Sequence, residues 1–304
     1  MIDRTKIAIE PKSNEAYEAA VREAGGQVVP LASDVAAMIW TDYWRPEDLD
    51  ATVRANPQLE WVQLPFAGVD AFKQSLSLPV TFTSAKGSYR QPVAEHALML
   101  CMALGRKLPE RVRATSWGEK FAVSLYDSEI LIVGGGGITE ELLKLLAPFE
   151  TKVNVVRKHV QPMSGANVFG FDSLDELLPS ADFVILAAAL TEETRGLVDA
   201  ARLTAMKNSA YLVNIARGPM VDTDALVEAL NAGQIAGAGV DVTDPEPLPE
   251  GHPLWSAKNI IITPHTADTP VQVVALFSKR IDENVRAFIR GDQFVGQVDP
   301  QLGY

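Results

Sequence analysis

Four consecutive glycines, Gly134, Gly135, Gly136 and Gly137, separate the apolar run 130–133 from leucines at helical spacing, Leu142, Leu145 and Leu146. In a strand–turn–helix setting, glycine lets a pyrophosphate reach backbone amides at a helix N-terminus, where the helix dipole favours an anion. In the pattern G-x-G-x-x-G, Gly134 and Gly136 fill the first two places and Thr139 stands where the third glycine belongs. That departure is expected to loosen the helix against the strand or to shift the phosphate. Glycine clusters also make plain turns, so the next strand carries more weight. It ends in Arg157-Lys158, 23 residues past Gly134, where an NAD-specific site carries a carboxylate for the ribose 2′-hydroxyl. A carboxylate repels a 2′-phosphate, whereas a guanidinium binds it through two parallel charge-assisted hydrogen bonds. The pair therefore points to NADP(H) over NAD(H), against the alternative of a solvated charge pair at a strand end.

Three more residues follow strands directly, the position where ligands bind in open parallel sheets. Arg217 comes straight after a strand ending near Ile215. Glu246 lies in the acidic, proline-stiffened stretch Asp241-Val242-Thr243-Asp244-Pro245-Glu246-Pro247. His265 sits in Thr263-Pro264-His265-Thr266-Ala267. Taken singly, each has a plain alternative: a surface arginine, a solvated turn. Of His96, His159, His252 and His265, only the last directly follows a buried-looking strand. His96 lies in a helical run and reads as a structural or surface residue, and His252 occupies a Gly-His-Pro turn.

The elements that must position these residues follow from patterning. Strand candidates at 6–9, 28–31, 36–40, 60–64 and 80–83 alternate with helical stretches such as 13–24, which argues for a parallel α/β domain. A helix over 94–107 could bridge to a second α/β series, after an irregular polar stretch at 109–128. The later strands fall at 130–133, 152–158, 183–186, 211–215, 238–242 and 259–263. A helix over 223–232 stops at Gly233, and a last helix over 271–290 could return to the first domain. The chain has 304 residues, 47% hydrophobic and 22% charged, room for two domains with a substantial core. Its net charge of −12 makes nucleic acid and anionic membranes poor partners, because their binding needs a basic face. A small anionic substrate would need locally placed arginine. The single cysteine, Cys101, excludes an intrachain disulfide and a cysteine-built metal cage. With no signal-peptide core and no apolar run of membrane length, a cytoplasmic protein is expected.

Together these residues resemble one family, the D-isomer-specific 2-hydroxyacid dehydrogenases. The resemblance covers most of the chain and is densest over 131–269. It rests on the glycine turn, on Leu186-Ala187-Ala188-Ala189-Leu190-Thr191-Glu192-Glu193-Thr194-Arg195-Gly196-Leu197, on 214–218, on 239–247 and on Pro264-His265. Thr139 and Ala189 depart from the family's usual glycine and proline, which bears on cofactor affinity rather than on the reaction. The resemblance implies two Rossmann-like or flavodoxin-like parallel-sheet domains with a cleft between them. Residues 1–95 and 275–304 would form the substrate domain and 96–274 the dinucleotide-binding domain. It further implies a catalytic set of Arg217, Glu246 and His265. Cofactor contacts would come from Gly134, Gly136, Gly137, Ile138, Arg157, Lys158, Ala188, Leu190, Thr194, Ile215, Ala216, Asp241 and Ala267. The loop Phe66-Ala67-Gly68 would offer amides to the substrate carboxylate.

The chemistry needs these residue types. Reducing a 2-keto acid adds hydride to the carbonyl carbon while an acid protonates the oxygen, a task that suits histidine. A carboxylate on the other ring nitrogen fixes the tautomer, and arginine grips a carboxylate in a planar fork. The expectation is therefore an NADP(H)-preferring reductase of small 2-keto acids such as glyoxylate or hydroxypyruvate, working as a homodimer without a metal. The alternatives are an NAD-dependent dehydrogenase and a dinucleotide-sensing corepressor-like binding protein, which the intact set and the lack of an interaction tail argue against. Tyr43, Trp44 and Phe66 either narrow a pocket or pack internally.

Overall fold

Short apolar runs form parallel strands in two separate sheets, seen in a computed structural model that describes residues 3–300. The ends of the expected substrate domain, residues 1–2 and 301–304, lie outside the described residues. One unit runs to Tyr89 and resumes at Thr269; Arg90–Asp268 forms the other.

The first unit contains β1 (Lys6–Glu10), α1 (Glu15–Glu23), β2 (Gln27–Val28), β3 (Ala37–Trp40), α2 (Pro46–Ala55), β4 (Trp61–Gln63) and β5 (Thr81–Thr83). All pairings are parallel, in the order β2-β1-β3-β4-β5. Side chains at period two send Met38, Trp40, Val62, Leu64 and Phe82 into a core with Leu49 and Val53 of α2.

The second unit opens with α3 (Arg90–Gly105) and α4 (Leu108–Arg111), then alternates strand and helix. These are β6 (Glu129–Val133), α5 (Gly137–Leu146), β7 (Lys152–Val156), β8 (Asn167–Phe169), α6 (Leu174–Leu177), β9 (Phe183–Leu186), α7 (Ala200–Ala205), β10 (Tyr211–Asn214), α8 (Thr223–Ala232), β11 (Gly237–Val240) and β12 (Ile260–Ile262). The order β12-β11-β10-β9-β6-β7-β8 is again parallel throughout. Strand β6 shows why helices cover both faces. Leu131 and Val133 pack toward Leu203, Leu226 and Leu230, while Ile130 and Ile132 pack toward Leu100, Leu104, Leu142 and Leu146. The order reverses at β6, between β7 and β9, so a crevice opens at the C-terminal ends of β6 and β9.

The fold class is the one expected, two parallel-sheet α/β units. The helix expected at 94–107 starts earlier, because Pro92 is tolerated in a first turn, and all of α3 belongs to the second unit. The units consequently divide at Arg90 rather than after residue 95. The chain returns to the first unit in α9 (Pro270–Arg290), opened by a capping box of Thr269 and Gln272 and closed by Gly291 at φ 74°. It packs on α1, and its buried Arg280 and Asn284 hold the Ser84 carbonyl at 2.8 Å and the Gln63 side chain at 2.7 Å.

Candidate active site

The glycine turn between β6 and α5 is a cradle that side chains would fill. Gly134 has φ 115°, and a Cβ there would lie 2.5 Å from the Ala187 carbonyl, so the turn presses directly on the strand end of β9. At Gly135 a Cβ would lie 2.6 Å from Arg157 Cδ, while at Gly136 it would point into open space. No side chain caps α5, so its first amides and the positive end of its dipole face outward. This arrangement fits a dinucleotide pyrophosphate. Thr139 does not loosen the turn as expected. It is fully buried, and its hydroxyl donates to the Gly134 carbonyl at 2.7 Å, tying the helix to the turn where a glycine would only allow close packing.

Arg157, the cation favoured by sequence, and its neighbour Lys158 are separated by their surroundings. Lys158 pairs with Glu193 at 3.1 Å. Arg157 is partly buried against Gly135, and among the described residues its guanidinium has no ion-pair or hydrogen-bond partner. Ala188 and Leu190 lie in the loop after β9, packed on the core. Thr194 closes that loop: its buried hydroxyl donates to the Ala189 carbonyl and accepts from the Thr191 amide, both at 2.8 Å. Ile138 is partly buried, and Ile215 and Ala216 are buried beyond β10.

The loops after β10, β11 and β12 bring Arg217, Glu246 and His265 together. His265 Nδ1 lies 2.6 Å from Glu246 Oε1. Glu246 holds the ring proton on Nδ1, which directs Nε2 to the partner in any proton transfer. The bond to Glu246 is the main reason the His265 pKa lies above the ordinary value. Burial and the charge of Arg217 pull against it. Arg217 is extended, with Nη1 on the Ala216 carbonyl at 2.8 Å, and its own carbonyl accepts from the Asn214 side chain at 2.9 Å.

Two features bring this set together: Gly218, which has no assigned role in the sequence reading, and Asp241, which was expected among the cofactor contacts. A Cβ at Gly218 would lie 1.9 Å from the Thr243 carbonyl oxygen. Only glycine allows the Arg217 loop so close to the Glu246 loop. The buried Asp241 is the second. Its carboxylate accepts from Thr263 Oγ1 at 2.6 Å, the Thr266 amide at 2.9 Å and the Ala267 amide at 3.1 Å. Its carbonyl accepts from the His265 amide at 2.8 Å, which holds His265 at φ 51° in the left-handed region. Burial opposes ionisation of Asp241, yet bonds from His96, Thr263 and Thr266 bring its pKa below the usual carboxylate value. His96, which reads from sequence as structural or surface, reaches across from α3 with Nε2 2.9 Å from Thr263 Oγ1. The Thr263 hydroxyl already donates to Asp241, so His96 Nε2 is the donor of that bond.

In the first unit, the loop after β4 is held by Tyr89, whose hydroxyl donates to the Pro65 carbonyl at 2.8 Å, and by the Ala85 amide on the Phe66 carbonyl at 3.0 Å. Among the described residues, the amides of Phe66, Ala67 and Gly68 donate no hydrogen bond. Tyr43 packs edge-on against Trp44, Phe66 and Phe72, so it belongs to the packing, while Trp44 remains exposed. Among the described residues there is no acidic, histidine or cysteine cluster that could hold a metal.

A doubly wound sheet with an open glycine turn at its switch point and a histidine–carboxylate pair beyond neighbouring strands defines a dinucleotide-dependent oxidoreductase. Residues 97–267 match the family model described as D-isomer specific 2-hydroxyacid dehydrogenase, NAD binding domain. The chain belongs to that family and is an NAD(P)-dependent oxidoreductase. It is 39% identical to an uncharacterized protein in the proB 3′ region of Corynebacterium melassecola, over 81% of this chain and 84% of that one. It is 35% identical to the glyoxylate reductase of Pyrococcus furiosus, over 81% of this chain and 78% of that one. Its structure superposes with TM-score 0.86 on a D-isomer specific 2-hydroxyacid dehydrogenase from Xanthobacter autotrophicus Py2 crystallised with NADPH and MES. The two are 28% identical and 99% of each chain is covered.

Proposed function

We propose that this protein reduces a small 2-keto acid of the glyoxylate or hydroxypyruvate type to the D-2-hydroxy acid, with NADPH preferred over NADH. The 2.6 Å pair of His265 Nδ1 and Glu246 Oε1 carries the reading, because it equips a histidine at a strand end to give a proton through Nε2. The glycine turn would hold the dinucleotide by its pyrophosphate, and the reduced nicotinamide of that cofactor would supply the hydride. His265 protonates the carbonyl oxygen, and its bond to Glu246 raises its pKa and so favours the charged ring that the step needs. Glu246 stabilises the imidazolium and returns to a neutral-ring partner once the proton has left. Arg217 binds the substrate carboxylate and polarises the adjacent carbonyl. Asp241 holds the His265 loop in place through the bonds described above. The free amides of Phe66, Ala67 and Gly68 suit a carboxylate, which is why the first unit is assigned to the substrate and the second to the cofactor.

Glyoxylate reductase relatives support the substrate class. The unpartnered Arg157 and the NADPH-bound relative from Xanthobacter support the cofactor. Lys158 is taken up by Glu193, so the preference rests on Arg157 alone. A cytoplasmic setting is part of the proposal, since a lone cysteine, Cys101, leaves no intrachain disulfide to form. So is a homodimer, in which a second copy would cover the exposed Met102, Val112, Trp117 and Phe121.

The test is turnover of glyoxylate, hydroxypyruvate and a wider keto-acid panel with NADPH and with NADH. His265→Ala should cut kcat by about 10²–10⁴-fold, the usual worth of a positioned general acid, with dinucleotide affinity retained. Tight dinucleotide binding without turnover on any member would favour the binding-protein reading instead.

A further inference from the structure

We propose that Arg90 is a phosphate-binding residue, which closes its guanidinium over the cofactor's pyrophosphate at the start of α5. The inference rests on the glycine turn being the dinucleotide site. Four glycines there supply amides and no side chain. A helix N-terminus is worth roughly half a positive charge, and a pyrophosphate bridge brings about two negative ones. The chain as a whole carries −12, and Glu140 and Glu141 stand in the first turns of α5 itself. A cation close to the turn would offset the charge that the helix end leaves over.

Arg90 is placed to be that cation. It opens α3 and lies across the start of α5, where a Cβ built on Gly137 would meet Arg90 Cδ at 3.4 Å and Cβ at 3.7 Å. The arginine stem therefore runs past Gly137 at van der Waals distance. Arg90 Nε is 3.1 Å from Glu141 Oε1, with Arg90 46% and Glu141 11% exposed. That contact anchors the stem through one nitrogen. Among the described residues neither terminal amino group of Arg90 has a partner, so the two-pronged end is open to a phosphate. Glu141 does not depend on Arg90 for its charge balance, because Lys144 Nζ lies 3.0 Å from the same oxygen. The turn is thus flanked by two arginines with separate tasks. Arg157 lies beside Gly135 and would read the 2′-phosphate, whereas Arg90 lies over Gly137 and would hold the phosphates that both cofactors share.

This division sets the experiment. Binding of NADPH, NADH, ADP and adenosine to the full chain would be measured by calorimetry, without substrate, for wild type, Arg90→Gln, Glu141→Gln and Arg157→Gln. Arg90→Gln should weaken NADPH, NADH and ADP alike by about 10-fold, the loss expected of a partly exposed charge-assisted contact. Adenosine, which has no phosphate, should bind as it does to wild type. Arg157→Gln should weaken NADPH alone. Glu141→Gln removes the ion-pair partner but leaves the cation, so it should hold or improve dinucleotide affinity. Unchanged NADPH and NADH affinity in Arg90→Gln would overturn the proposal. So would an equal loss in Glu141→Gln, which would make the ion pair structural. If wild type bound neither dinucleotide, the cofactor reading would fall and this proposal with it.

Discussion

Gly135→Ala tests cofactor choice without altering a charged residue. A methyl group at position 135 would sit 2.6 Å from Arg157 Cδ and 2.8 Å from its Nε. Carbon atoms rest about 3.5–4.0 Å apart, so Arg157 must withdraw by about 1 Å. The obstacle is a flexible side chain rather than backbone, and Gly135 is outside the left-handed region, so the turn can persist. Charge-assisted hydrogen bonds are short, about 2.7–2.9 Å, and such a retreat breaks the bond that Arg157 would make to a 2′-phosphate. Contacts to charged groups are worth about 1.5–3 kcal/mol. Arg157 is only partly buried, which puts the loss at the lower end, about 10-fold in kcat/KM for NADPH. NADH has no phosphate at that position and should lose little. Initial rates with both cofactors, on glyoxylate or the best keto acid of the panel, give the ratio directly. Arg157→Asp should abolish or reverse it by adding repulsion. A Gly135→Ala enzyme with the wild-type ratio, or with equal losses for both cofactors, would refute the assignment of Arg157.

Two further outcomes address the catalytic set. Glu246→Gln removes the main cause of the raised His265 pKa; because reduction needs the protonated ring, the high-pH limb of the rate profile should move to lower pH. A limb that stays in place would remove Glu246 from the pair. Arg217→Lys keeps the charge but loses the planar fork, so it should raise KM for the keto acid and lower kcat, by about 10–100-fold combined. Dinucleotide affinity measured without substrate should not change, and a loss confined to the cofactor would make Arg217 a cofactor ligand.

What the sequence determined by itself was local. The strand–glycine–helix stretch that became β6, the turn and α5 was legible because apolar periodicity and glycine act on neighbouring residues. Helix α8 occupies the expected residues because Asp222 caps its start and Gly233, at φ 70°, ends it. Edges were less legible. Of the strand expected at 28–31 only Val28 is in β2, Gln27–Val28, at the sheet edge beside Pro30. The three-residue β8, half exposed at an edge of the seven-stranded sheet, carries no pattern long enough to detect. The contacts that set the site were decided by tertiary structure. Adjacent cations in the sequence became a paired Lys158 and an open Arg157 only when Glu193 folded against one of them. His96 gained its place from Thr263, 167 residues away, and Gly218 its necessity from the Thr243 carbonyl. Arg90 is an ordinary helix-opening cation until α3 packs on α5. Periodicity and turn chemistry are written into a few consecutive residues, but which loops meet depends on strand order and helix packing, and those follow from burying both faces of a sheet at once.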